Sequence, residues 1–99
     1  MKMLNLLGFD FGASSGRAML GTFDGQRIEI REIHRFSNDP VMLCGRFVWD
    51  VPRLVYEMKQ ALLKISRMDV RVDAIGIDTW GVDYGMLDKN GNLLGLPVH

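Results

Sequence analysis

The stretch from Leu54 to Met68 limits the fold more than any other part of the chain. Leu54, Met58, Ala61, Ile65 and Met68 recur at steps of four and three, with Val55 and Leu62 beside them, which predicts one apolar face of a helix of about five turns. Asp50 is suited to cap its start, and Pro52 falls in the first turn, where a missing N–H costs nothing. Lys59, Lys64 and Arg67 fall on the solvated side. The segments around this helix read as strands. Leu4 to Asp10 is a nearly continuous apolar run, the pattern of a strand buried on both faces. Arg17 to Phe23 and Gln26 to Phe36 form a pair joined at Asp24-Gly25, which reads as a type I′ turn with positive φ at both central positions. The apolar phase slips between Ile30 and Ile33, predicting a bulge or a sheet edge. Val72 to Ile77 is a further buried strand, and the helix before it is long enough to act as a crossover, so that this strand lies parallel to one of the first group. An open mixed α/β sheet with antiparallel hairpins follows. Ser37 to Val48 reads as irregular, with Phe47 and Trp49 in at most a very short strand. Val82 to Leu87 reads as a strand that Asn90-Gly91 turns back into Leu93 to Leu96.

Composition narrows the classes of function. The chain has 99 residues, enough for one small domain with one core. Its 12 basic residues balance 12 acidic ones, so no basic excess points to nucleic acid or to an anionic membrane surface. The single cysteine, Cys44, has no internal partner, and with only His34 and His99 there is no zinc spacing. A reducing compartment fits this usage. The apolar run near the start is too short for a signal peptide or a membrane span, so a soluble, cytoplasmic protein is expected. Leu93 to His99 reads as an extended segment with Pro97 near its end and no closing helix, and the expectation is a piece of a longer polypeptide.

Two segments carry chemistry. The first, D-F-G-A-S-S-G-R from Asp10 to Arg17, places a carboxylate at the end of a strand and a Gly/Ser loop before the next. Gly12 and Gly16 permit close backbone approach. The N–H groups of Ala13, Ser14, Ser15 and Gly16 can converge on phosphate oxygens as a nest, with the two hydroxyls and the planar Arg17 cation as further donors. Asp10 suits Mg²⁺ as a hard oxygen ligand. The other reading of the same residues is a tight hairpin with a surface arginine. The loop is not a Walker sequence, since G-K-[ST] is absent, and it lacks the G-x-G-x-x-G spacing of a dinucleotide site. The second segment, I-G-I-D-T-W-G-V-D-Y, runs through Asp78 to Tyr84 at the end of a strand, where open α/β sheets bind ligands. Asp78 and Asp83 offer acceptors for sugar hydroxyls, Trp80 a flat apolar face, and Gly81 a point of backbone approach. Equally, Gly81 serves a turn and Trp80 belongs to the core. Cys44 and His34 read as structural or surface residues.

A strand ending D-x-G-x-x-x-x-R before a hairpin resembles the first phosphate motif of the actin, heat-shock-70 and sugar-kinase superfamily. Within it, D-F-G-A-S-S-G-R and G-I-D-T-W-G-V-D-Y-G-M-L-D-K-N-G are similar to the rhamnulokinase branch of the FGGY carbohydrate kinases. R-E-I-H-R-F, W-D-V and G-L-P-V resemble the same family in the same order. The resemblance implies a ribonuclease-H-like sheet forming part of the amino-terminal domain of a two-domain sugar kinase, with residues 1–99 only the partial domain. It implies ATP phosphates on Ala13, Ser14, Ser15, Gly16 and Arg17, Mg²⁺ on Asp10, and a sugar contact at Gly81 with Trp80 and Val82 beside it, Trp80 covering the methyl of a deoxyketose. It further implies phosphoryl transfer to L-rhamnulose or a similar ketose, with the catalytic base and the adenosine site further along a longer chain. No turnover is then expected from these 99 residues alone. Two other expectations stay open: a kinase of the same family acting on another ketose or polyol, and a binding module without catalysis.

Overall fold

The computed structural model describes residues 3–99. Strands β1 (Leu4–Phe11), β2 (Ser15–Phe23) and β3 (Ile28–Ser37) form an antiparallel meander. A short hairpin follows, β4 (Val41–Leu43) and β5 (Arg46–Val48), then helix α1 (Val51–Ser66), then β6 (Ala74–Thr79). The main sheet has the order β3-β2-β1-β6, with β6 parallel to β1 as the crossover requires. The architecture is therefore the mixed α/β, ribonuclease-H-like sheet that the strand and helix pattern predicts.

Alternation decides which face is covered. Leu7, Phe9 and Phe11 of β1, Ala18 and Leu20 of β2 and Phe36 of β3 point to one side and pack with Ala61 and Ile65 of α1. The opposite side carries Gly8, Asp10, Arg17 and Met19, which are half-buried. Thus β1 is covered by a helix on one face only, not on both as its apolar run suggests. Strand β6 departs further: it starts two residues later than expected and every residue in it is exposed, with Ile75 and Ile77 more than half so. The helix packs on the β3 side of the sheet, and β6 stands at the opposite edge.

Helix α1 starts as predicted. The Asp50 carboxylate accepts from the N–H of Arg53 at 3.1 Å, and Pro52 lies in the first turn. Its inner face includes a residue that apolar counting misses. Glu57 is buried, 3.3 Å from Nε2 of His34 on β3 and 3.5 Å from Nε of Arg53. Lys64, read as solvated, sends its ammonium to Nδ1 of His34 at 2.8 Å. Val55 and Leu62 fall outside the covered stripe and stay exposed.

The turns divide between confirmed and corrected expectations. Ala18 faces His34 while the adjacent Met19 faces Glu32, so Ile33 is the extra residue of a bulge where the apolar phase slips. Asp24-Gly25 is not a type I′ turn, because only Gly25 has positive φ. The Asp24 carboxylate instead accepts the N–H groups of Arg27 and Gln26, which hold it below the usual carboxylate range. The positive-φ pair is Cys44-Gly45, at 51° and 80°, joining β4 and β5 inside a stretch that reads as irregular. The strand expected at Val82 to Leu87 is absent. The chain does reverse at Asn90-Gly91, around the Asp88 carboxylate, but only Leu87 and Leu93 pair. A two-stranded ribbon with little packed against it is marginal in water, which accounts for the loss.

Candidate functional site

The connection between β1 and β2 is a tight reversal with Ala13 and Ser14 at its exposed tip. The Gly12 N–H donates to the Ser15 carbonyl at 2.8 Å. A Cβ at Gly12 would stand 2.9 Å from that same carbonyl oxygen, so the reversal excludes any side chain there. Gly16 is glycine for another reason. It lies within β2, facing Phe11 on one strand and Phe36 on the other, and a Cβ would fall 2.2 Å from Cζ of Phe36. Gly16 thus admits an aromatic ring from the core, and its backbone is committed to the sheet. Of the expected donors, Ala13 and Ser14 sit at the open tip, while Ser15 and Gly16 begin the strand.

Asp10 and Arg17 are cross-strand partners on the face opposite the helix. Nη1 of Arg17 donates to Oδ2 of Asp10 at 3.0 Å, and Nη2 donates to Oγ of Ser15 at 2.8 Å. Its Nε is buried with no partner among the described residues. The guanidinium is therefore oriented beside the loop. Asp10 keeps half its side chain exposed and its Oδ1 without a partner among the described residues. Its parallel neighbour on β6 is Asp78, and both line an open cavity with Gly8, Gly76 and Met19. The two glycines have nothing within 4 Å of a built Cβ, so the floor beside the carboxylate pair is bare backbone. Among the described residues, no three His, Cys, Asp or Glu side chains cluster to hold a metal ion by themselves. One half-exposed carboxylate suits Mg²⁺, which takes few protein ligands and completes its shell with water and phosphate oxygens.

A residue that sequence reading passes over braces the loop from behind. Asn38, just past β3, is 3% exposed; its Nδ2 donates to the Gly12 carbonyl at 2.8 Å, and its backbone N–H donates to the Ser14 carbonyl at 3.0 Å. A lone Asn beside Asp39-Pro40 reads as a loop residue, and no local pattern singles it out.

The second segment leaves the end of β6. Trp80 is half-buried, its ring 4.2 Å from that of Trp49 between centroids. Trp49, 2% exposed, donates its indole N–H to Oδ2 of Asp83 at 2.7 Å and its backbone N–H to the Pro97 carbonyl at 2.8 Å. Trp49 thereby ties residues 80–83 and 97–99 to the start of α1. Asp83 is engaged in this tie and Trp80 leans on the core. Gly81 has open space around its α-carbon, and Val82 is 84% exposed. A cavity of about 180 Å³ opens between Phe11, Trp49, Leu54, Trp80 and Pro97. The two segments are adjacent through β1 and β6, since Phe11 and Thr79 are register partners. Phosphate-type donors and a sugar-type aromatic face thus emerge at the same end of neighbouring strands.

No family model matches the chain. Among curated proteins it is 46% identical over 99 residues to a rhamnulokinase of Pectobacterium atrosepticum, an alignment covering 98% of this chain and 20% of that protein. It is 43% identical over 100 residues to a rhamnulokinase of Klebsiella pneumoniae, covering 99% and 20%. Among solved structures, a gluconate kinase from Lactobacillus acidophilus superposes with a TM-score of 0.69 at 14% identity, over 98% of this chain and 20% of that one. A xylulose kinase from the same organism gives 0.67 at 14% identity, over 95% and 19%. At that identity the two structures bear on the fold alone. The chain is thus similar to the rhamnulokinases over 98–99% of its own length, and it spans about one fifth of theirs.

Proposed function

We propose that these 99 residues are the part of an ATP-dependent carbohydrate kinase that meets the nucleotide phosphates and one side of the sugar. The complete polypeptide would convert L-rhamnulose to L-rhamnulose 1-phosphate. The observation that carries this reading is the identity of 43–46% to rhamnulokinases over essentially the full chain, joined to the loop geometry at one end of the sheet. ATP supplies the γ-phosphoryl group, and the chain's own residues position and neutralise it. Ala13, Ser14 and Ser15 present N–H and hydroxyl donors at the turn, Gly16 sets the path of the strand behind them, and Arg17 stands beside them as a fixed cation. Asp10 offers a free carboxylate oxygen to Mg²⁺. Gly81 gives the sugar access to backbone, Val82 an exposed apolar contact, and Trp80 a face for the methyl of a deoxyketose.

A group that takes the proton from the sugar hydroxyl is not assigned within this chain, and the 99 residues alone are proposed to have no turnover. The test is a coupled ADP-release assay on the product of the complete reading frame, with Mg-ATP and L-rhamnulose, L-fuculose, D-xylulose, L-ribulose and glycerol. Preference for L-rhamnulose supports the assignment. Activity confined to another member replaces the sugar and keeps the kinase. A folded product inactive on the whole panel overturns both.

A further inference from the structure

The structure assigns Asn38 as the residue that orients the β1–β2 loop to receive a phosphate; this rests on the phosphate reading of that loop and adds a device to it. A two-residue hairpin tip ordinarily closes with reciprocal hydrogen bonds between its flanking residues, here Gly12 and Ser15. Only one of the pair is made: Gly12 N–H to the Ser15 carbonyl at 2.8 Å. The Gly12 carbonyl, which would take the Ser15 N–H in return, is bound by Nδ2 of Asn38 at 2.8 Å.

Peptide planarity converts this into a direction. All peptide bonds of the described residues are trans, and a trans peptide points its C=O and the following N–H opposite ways. Asn38 draws the Gly12 carbonyl toward itself, so the N–H of Ala13 points away from it. The backbone N–H of Asn38 holds the Ser14 carbonyl at 3.0 Å, so the N–H of Ser15 points away as well. The Ala13 N–H has no backbone acceptor among the described residues, and the Ser15 N–H makes no bond back to the Gly12 carbonyl. These two donors flank the exposed Ser14, next to the guanidinium that Ser15 and Asp10 hold in place.

The burial of Asn38 fits this role. A primary amide that is 3% exposed is costly unless it is hydrogen-bonded, and an apolar side chain would fill the space without that demand. Its amide nitrogen is used on the loop. Asn38 touches no reacting group. It is a positioning residue acting through the peptide planes of Gly12–Ala13 and Ser14–Ser15.

The test follows the backbone amides of residues 3–99 in the complete polypeptide, ¹⁵N-labelled in that segment, during titration with ADP. Wild type should show the Ala13 and Ser15 amides shifting together. Asn38→Leu, of the same branching with no donor, should weaken ADP about tenfold, the scale of one lost orienting hydrogen bond, while core amides such as those of Leu7 and Leu20 keep their positions. Should that variant not fold, Asn38→Asp decides. Its ionised carboxylate cannot donate to the Gly12 carbonyl, whereas its neutral acid can, so affinity relative to wild type at each pH should recover on acidification. Equal ADP affinity of wild type and Asn38→Leu, or an Asn38→Asp deficit that does not change with pH, overturns the role of Asn38. Wild type whose residues 10–17 do not respond to ADP overturns the phosphate reading of the loop itself, a separate failure.

Discussion

Two glycines on neighbouring strands give opposite expectations when replaced by alanine. At Gly16 the new methyl carbon would sit 2.2, 2.5 and 2.9 Å from Cζ, Cε1 and Cε2 of Phe36. Carbon atoms rest at about 3.5–4.0 Å, so the ring has to withdraw by more than an ångström. Phe36 is buried and meets Phe11 edge-on at 6.0 Å, and withdrawal disturbs that contact as well. Overpacking of this kind costs about 1–3 kcal/mol. Removing a glycine from a strand returns about 0.5–1 kcal/mol of chain entropy, leaving Gly16→Ala destabilised by up to about 2.5 kcal/mol. At Gly8 nothing lies within 4 Å of the added carbon, so only the entropy contribution remains and Gly8→Ala should gain up to about 1 kcal/mol. Urea unfolding followed by the fluorescence of Trp49 and Trp80 reads both variants, which should differ in midpoint and not in slope. Phe36→Leu introduced into Gly16→Ala should cost less than in wild type, since the smaller side chain makes room. If Gly16→Ala is as stable as Gly8→Ala, or if the double-mutant cycle is additive, the packing explanation of Gly16 is wrong.

Two further outcomes are expected. Trp49→Phe keeps an aromatic ring against Trp80 and removes the N–H that Asp83 accepts, so unfolding free energy should fall by about 1.5–3 kcal/mol, the range for a hydrogen bond to a charged group; in the complete kinase KM for the ketose should rise while KM for ATP holds, and an unchanged ketose KM would separate this tie from the sugar site. The Asp24 and Asp88 carboxylates are held below their ordinary range by backbone N–H donors, those of Arg27 and Asn92 first. A folded-state pKa below the unfolded one gives stability that is present above the unfolded value near pH ~3.9 and lost as pH falls through the folded value. Asn at both positions should therefore lower the urea midpoint slightly at neutral pH, where that stability is present, and leave it unchanged at acid pH, so that the acid side of the stability–pH curve is flatter.

Local chemistry made much of the fold legible. The Asp50 cap, Pro52 and the apolar steps along α1 are short-range devices, and each appears where its pattern places it. The slip between Ile30 and Ile33 became a bulge with Ile33 as the extra residue, and beyond it Ile28 and Ile30 lie on the face opposite Ala18 and Leu20 and stay exposed. Loop conformation was less legible. Asp24-Gly25 and Cys44-Gly45 both end in glycine, yet only the second has positive φ at both positions. The Asp24 carboxylate satisfies two N–H groups on its own and makes another turn competitive. In the candidate site, Asp10, Arg17 and the Gly/Ser loop were visible because the chemistry and the spacing coincide in one short segment. Asn38 and Trp49 were not, since each acts on residues distant in sequence.

By itself the sequence determined the order of β1, β2, β3, α1 and β6, the parallel placement of β6 through the crossover helix, the polar loop after β1 and the likeness to rhamnulokinases. These follow from periodicity, caps and contiguous motifs, which are properties of neighbours along the chain. The tertiary structure decided which side of the sheet is covered, that Glu57 is buried against His34, that Gly16 serves Phe36, and that Asn38 turns the loop's donors outward. Those outcomes depend on which side chains meet across strands and helix, and a hydrogen bond or a collision between residues twenty or more positions apart has no local signature.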